Sequence, residues 1–193
     1  MTGGGRSDRD RWDTRHMAAD DADPAPSEFL VEFAAQLPKT GRALDVACGR
    51  GRNAVWLARR GLTVDAVDIS SIALAKAMSL AARHGVADRV RTIEQDLADG
   101  LPPLGGTYDV VMCLHFRQLS LWPRLRELVA PGGVLMIETL ARHPSNLDVS
   151  PDFLGERDEL LAAAGDLDVV FHGRATTGKR ASDRLFARRR TSA

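Results

Sequence analysis

Between Ala43 and Asn53 the chain reads Ala-Leu-Asp-Val-Ala-Cys-Gly-Arg-Gly-Arg-Asn, a short apolar run that carries Asp45 and then turns through Gly49 and Gly51. Two glycines one residue apart let a backbone turn tightly off a strand and pass close to a ligand where a Cβ would clash. They also deliver the chain into a helix whose free N–H groups favour an anionic group. A loop of this kind belongs at the carboxyl end of a strand in an α/β sheet and points to a nucleotide-type cofactor.

The pattern after the loop supports that architecture. Leu44 to Ala47 reads as a first strand, Asn53 to Arg60 as a helix closed by Gly61, and Thr63 to Val67 as a second strand. Ser71 to His84 reads as a helix closed by Gly85, followed by a third strand from Arg89 to Glu94. Tyr108 to Leu114 is a near-continuous apolar run, the mark of a strand buried on both faces of a parallel sheet. A helix from Trp122 to Val129 ends at Pro131-Gly132-Gly133, and Val134 to Glu138 is the fifth strand. Asp152 to Ala164 then reads as helical, Leu167 to His172 and Asp183 to Arg189 as strands. Ahead of the loop, Ser27 can cap a helix across Glu28 to Gln36, and Met1 to about Arg11 reads as a mobile, charged, Gly-rich tail. The alternation predicts a doubly wound α/β sheet with ligands at the carboxyl ends of its strands.

Composition narrows the function. The 193 residues suit one globular domain with a proper core, and 26 basic against 26 acidic residues leave no basic excess of the kind that neutralises phosphates. The expected partner is a small molecule rather than nucleic acid or membrane, and the expected location is the cytoplasm. Cys48 and Cys113 match no zinc spacing and read as buried thiols, so no metal is expected.

Two cofactors compete for the loop. Gly49-x-Gly51-x-x-Ala54 followed by Asp68 can be fitted to a dinucleotide fingerprint. Asp45, however, is an acidic residue for which that frame has no use, placed to hold the backbone or a ligand ammonium group. An oxidoreductase would also need a catalytic Tyr-x-x-x-Lys or equivalent, and no such lysine follows the lone tyrosine, Tyr108.

Asp45-Val-Ala-Cys-Gly-Arg-Gly51 resembles the first motif of the class I S-adenosylmethionine-dependent methyltransferases, with Ala47 where the first glycine usually stands and with no demand there for a positive φ. Val67-Asp68-Ile69-Ser70, Gln95-Asp96-Leu97, Tyr108-Asp109-Val110-Val111 and Leu128-Val-Ala-Pro-Gly-Gly-Val134 follow in that family's order. The resemblance covers about Phe29 to Glu138. Arg11-Trp12-Asp13-x-Arg15, the run Gly51 to Gly61 and Ile137-Glu138-Thr139 are most similar to the small bacterial methyltransferases of the tellurite-resistance type.

The resemblance implies a Rossmann-like seven-stranded sheet of order 3-2-1-4-5-7-6 with the last strand antiparallel. It implies a flexible arm over residues 1–25 and a single methyltransferase domain over 26–193. It implies S-adenosylmethionine as cofactor, with Asp68 on the ribose hydroxyls and Ile69 against the adenine. Asp96 would accept from the adenine amino group, with Leu97 offering a backbone N–H; a helix N-cap is the alternative for Asp96. Asp45, Ala47, Gly49 and Gly51 would admit the methionine portion. Arg15 would pair with the cofactor carboxylate or stand on a solvated helix face, and Asn53 would cap the first helix or touch the carboxylate.

On the acceptor side, His115 and Glu138 are the catalytic candidates, His115 as general base or as a strand-end histidine bonded to a loop. Arg117 would hold an anionic substrate or form a surface ion pair. The Arg188-Arg189-Arg190 cluster reads as a solvated strand end. The expected activity is in-line methyl transfer to a small-molecule acceptor by a monomer or homodimer. The alternatives are an NAD(P)-dependent oxidoreductase on the same loop or a cofactor-binding protein without turnover.

Overall fold

The structure, a computed structural model, describes residues 6–20, 22–156 and 158–191. The chain divides between Gly105 and Gly106 into two compact units.

In the first unit, β1 (Arg42–Val46), β2 (Thr63–Asp68) and β3 (Val90–Glu94) form a parallel ladder in the order β3-β2-β1. β1 and β2 are buried at nearly every position, as a parallel sheet covered on both faces requires. The helices α3 (Arg52–Arg59) and α4 (Ser71–Arg83) supply the crossovers. The Ser70 hydroxyl caps α4 by accepting from the Ala73 N–H at 3.0 Å. The expected helix over 28–36 is interrupted: α2 spans Glu28–Glu32 and a 3-10 turn follows at Ala34–Gln36.

The arm expected to be flexible contains a helix, α1 (Arg6–Ala18), which packs on α4; residues 1–5 lie outside the described part. Its sequence has no apolar stripe, which is why periodicity missed it. Asp8 in its first turn with Arg15 and His16 in its last complement the helix dipole, and polar contacts hold it in place.

In the second unit, β4 (Tyr108–Leu114) pairs parallel with β5 (Val129–Ala141), β5 pairs antiparallel with β8 (Arg180–Arg188), and β8 pairs antiparallel with β7 (Asp168–Thr177). The helices α5 (Trp122–Glu127) and α6 (Glu159–Ala164) belong to this unit. β5 is far longer than expected. The Pro131-Gly132-Gly133 turn is taken up as an irregularity within the strand, where Tyr108 faces Val129 and Val110 faces Val134. The helix expected from Asp152 is replaced up to Gly155 by a 3-10 turn and a two-residue strand, β6 (Leu154–Gly155), beside β5.

The observed runs β3-β2-β1 and β4-β5-β8-β7 reproduce the expected 3-2-1 and 4-5-7-6, since the short β6 shifts the numbering by one, and the last strand is antiparallel. The fold is Rossmann-like α/β.

Candidate active site

The loop after β1 is built from left-handed turns. Ala47, Gly49 and Gly51 have φ of 56°, 54° and 75°. Ala47 therefore does not avoid positive φ, as its reading from sequence required. It takes a left-handed conformation that favours glycine, at a cost of roughly 1–2 kcal/mol for a residue with a Cβ. The loop is fixed to β2 by the Cys48 N–H donating to the Val67 carbonyl at 3.0 Å.

The two glycines do different jobs. A Cβ at Gly51 would fall 2.6 Å from the Ala77 Cβ, so the bare backbone there lets α3 and α4 close on each other. Gly51 is thus required for packing. A Cβ at Gly49 would meet only the His16 ring, at 3.7 Å, so Gly49 is the open face of the loop.

Acidic side chains surround this face. Asp68, buried at the end of β2, accepts from the Gly49 N–H at 2.7 Å and from the Ser70 N–H at 2.9 Å, which clamps the loop to the start of α4. A carboxylate has about four lone-pair sites, so two remain chemically available for hydroxyl donors. Asp45 is fully buried. The Ala54 N–H donates to its carboxylate, while Oδ2 has no hydrogen-bond partner among the described residues. Burial, reinforced by the nearby Asp68, pushes the Asp45 carboxyl up to about 8. Burial likewise drives the Cys48 thiol well above its ordinary range, with Asp45 and Asp68 adding to the effect.

The remaining cofactor candidates fare unevenly. Asp96 is half-buried after β3 and caps a 3-10 turn, its Oδ1 accepting from the Ala98 N–H at 2.9 Å. Ile69 is half-buried beside Asp68, and Leu97 is a buried core side chain. Asn53 does not cap α3: its Oδ1 accepts from the Ser27 N–H at 2.8 Å and ties α3 to the start of α2. Arg15 is exposed, with its guanidinium 5.1 Å from the Trp12 ring centroid.

α1 lies over the carboxyl ends of β2 and β3. Arg9 pairs with Glu94, Asp13 accepts from the Ser70 hydroxyl, and His16 stacks on Trp12 with a centroid separation of 5.9 Å. Burial holds the His16 imidazole below its ordinary value, against the opposing pull of Asp68. Sequence reasoning missed His16 and Asp13. The available signal was their mutual spacing, since Asp13 and His16 are three apart and so fall on one side of a helix.

A buried carboxylate with an orphaned oxygen, beside a glycine-lined opening and a second carboxylate at the end of β2, fits the ammonium, chain and ribose of S-adenosylmethionine. Residues 43–133 match a family described as a methyltransferase domain. Residues 43–133 are thus those of a methyltransferase domain, and the chain is similar to S-adenosylmethionine-dependent methyltransferases.

Among its relatives, a ubiquinone biosynthesis O-methyltransferase of Pseudomonas paraeruginosa is 32% identical over 130 residues, 64% of this chain and 54% of that protein. A ribosomal RNA small subunit methyltransferase C of Alcanivorax borkumensis is 33% identical over 111 residues, 52% of this chain and 33% of that protein. The matched stretch thus spans about half and a third of these relatives' lengths. TehB from Haemophilus influenzae has the same fold, with TM-score 0.70 at 19% identity over 85% of this chain and 63% of that one. Magnesium protoporphyrin IX methyltransferase from Synechocystis, solved with bound SAH, gives TM-score 0.65 at 20% identity over 94% and 83%.

In the second unit, the two candidate catalytic residues are brought together. His115 follows β4 with φ of 61°, a conformation that persists in a non-glycine residue only where surroundings enforce it. Its N–H donates to the Glu138 carbonyl at 2.8 Å, and its ring Nε2 lies 3.3 Å from Glu138 Oε2. Glu138 on β5 is completely buried; its Oε1 accepts from Arg184 Nε at 2.7 Å and from the Ser182 hydroxyl at 2.8 Å.

Arg184 and Ser182 escaped sequence reasoning. Their signal was two polar residues two apart, which fall on one face of a strand. Arg117 forms a bidentate pair with Glu159, at 2.8 and 2.6 Å, and holds that carboxyl below its ordinary range. This satisfies the ion-pair reading of Arg117. The described residues include no helix long and apolar enough to cross a membrane.

Proposed function

We propose that the domain transfers the methyl group of S-adenosylmethionine to a small-molecule acceptor, with His115 as general base and Glu138 orienting it. The observation that carries the cofactor half is Asp45: a buried carboxylate whose Oδ2 lacks a partner is an ionic socket for a ligand ammonium group. Asp68 would take the ribose hydroxyls on its remaining lone pairs while holding Gly49 in place, and Arg15 would reach the cofactor carboxylate. Bound S-adenosylmethionine supplies a methyl group already activated by a sulfonium, so the chain's own residues have to orient, exclude water and accept a proton. The His115 ring, partly exposed and backed by the buried Glu138, has the build of a base with its orienting group.

The basic cluster at the end of β8 supports a small acceptor over a polyanion. Arg190 is bonded to Asp168, Arg189 to Asp166 and the Arg126 carbonyl, and Arg188 to the Gly132 carbonyl. These contacts would have to be given up to bind phosphates.

The test is transfer of a labelled methyl group to a panel of phenols, thiols, amines and oxyanions. Turnover with at least one class is expected, and His115→Asn should lower kcat by about 10²- to 10⁴-fold at unchanged cofactor affinity. Full activity in His115→Asn would remove the base from the account.

A further inference from the structure

The polar network behind His115 runs deeper than a base and its carboxylate require. Glu138 Oε1 accepts from both Arg184 and Ser182, which are themselves buried on β8. The β5–β8 register places Arg184 directly opposite Glu138 and Ser182 opposite Leu140, so both groups reach the carboxylate from one strand.

A fully buried carboxyl with no cation beside it would take up a proton and cease to be a pure acceptor. The Arg184 guanidinium, 2.7 Å away, supplies that cation, and two donors on Oε1 fix the rotation of the carboxylate. Oε2 is thereby aimed at His115 Nε2, at 3.3 Å. An ionised carboxylate can only accept, so the ring nitrogen facing it must carry the hydrogen.

We propose that Arg184 and Ser182 are positioning residues that act through Glu138 to hold His115 as its Nε2–H tautomer, making Nδ1 the basic nitrogen of the ring. The assignment rests on the reading of His115 as the base. It implies that proton abstraction is directed by the strand order of the second unit, because only the antiparallel β8 brings these side chains to Glu138.

The test needs no acceptor. Ring ¹⁵N–¹H correlation spectra of the full chain, recorded at mildly alkaline pH with ¹⁵N-labelled histidine, report the tautomer; His115→Asn identifies its signals among the five histidines. Wild type and Arg184→Lys should show Nε2–H at His115. Ser182→Ala should show a growing Nδ1–H population and Arg184→Met loss of the Nε2–H form. Ser182→Ala removes a single hydrogen bond without removing a charged side chain and decides the matter if Arg184→Met does not fold. A purely structural role predicts lower melting temperatures with the Nε2–H signature intact. That result, or an Nδ1–H ring in the wild type, overturns the proposal. Undiminished turnover in His115→Asn would instead remove the base and leave the tautomer assignment standing, so the two failures are distinguishable.

Discussion

The carboxylates of the two units are held in opposite ways. In the first, Asp68 binds backbone N–H groups of the glycine loop and of its own turn, 19 and 2 residues away, and Asp45 keeps one oxygen without a partner. In the second, Glu138 is met by side chains 44 and 46 residues further along the chain. The first arrangement is met mostly by backbone and leaves one oxygen without a partner, whereas the second is met by a guanidinium and a hydroxyl. On the proposed roles, cofactor binding would depend on local chain geometry and acceptor chemistry on tertiary pairing.

The largest effect expected from breaking this contrast is on stability in the second unit. Glu138→Ala leaves the Arg184 guanidinium buried without its carboxylate and should cost about 3–5 kcal/mol in denaturant unfolding. A loss below 1 kcal/mol would mean that the pair is not desolvated as the structure has it.

Next comes the glycine loop. Gly51→Ala forces a Cβ against Ala77 and places a side chain at a left-handed position, and should cost about 2–4 kcal/mol by the same measurement. Gly49→Ala, with only the His16 ring nearby, should cost less and act chiefly on cofactor affinity. Equal losses at the two sites would erase the division of labour between them.

Asp45 sharpens the contrast through pH. Its carboxyl rises from 3.8 in the unfolded chain to about 8 in the folded one, so the folded state holds the extra proton between those values. The corresponding stability is fully present below about pH 4 and is lost progressively as pH rises towards 8. Asp45→Asn should remove this slope, read as the difference between wild-type and variant melting temperatures across that range. A difference that does not change with pH would place Asp45 in contact with water or a cation. The smallest effect is at Ala47: Ala47→Gly relieves the left-handed strain and should stabilise by about 1 kcal/mol.

The same contrast explains what could be read in advance. β4 follows its apolar run to the residue, and the loop, Asp45, Asp68 and Asp96 fall at strand ends, because each is specified by neighbours close in sequence. α1 was hidden because its stabilising contacts, Arg9 with Glu94 and Asp13 with Ser70, are tertiary and polar. The length of β5 was hidden because Pro-Gly-Gly signals a turn locally, while pairing with β4 and β8 carries the strand through it. Asn53 was assigned a cap or ligand role that any residue at a helix start invites, and its actual partner, Ser27, lies 26 residues back. Arg184 and Ser182 become recognisable only once the β5–β8 register is known.

The central claim is that the loop and its carboxylates form an S-adenosylmethionine socket. Calorimetric titration of the wild type and Asp68→Ala with S-adenosylmethionine, NADH and NADPH tests it directly. The account predicts saturable binding of S-adenosylmethionine alone, weakened by about 1.5–3 kcal/mol in Asp68→Ala. Binding of a nicotinamide dinucleotide in its place, or an S-adenosylmethionine affinity indifferent to Asp68, would contradict it.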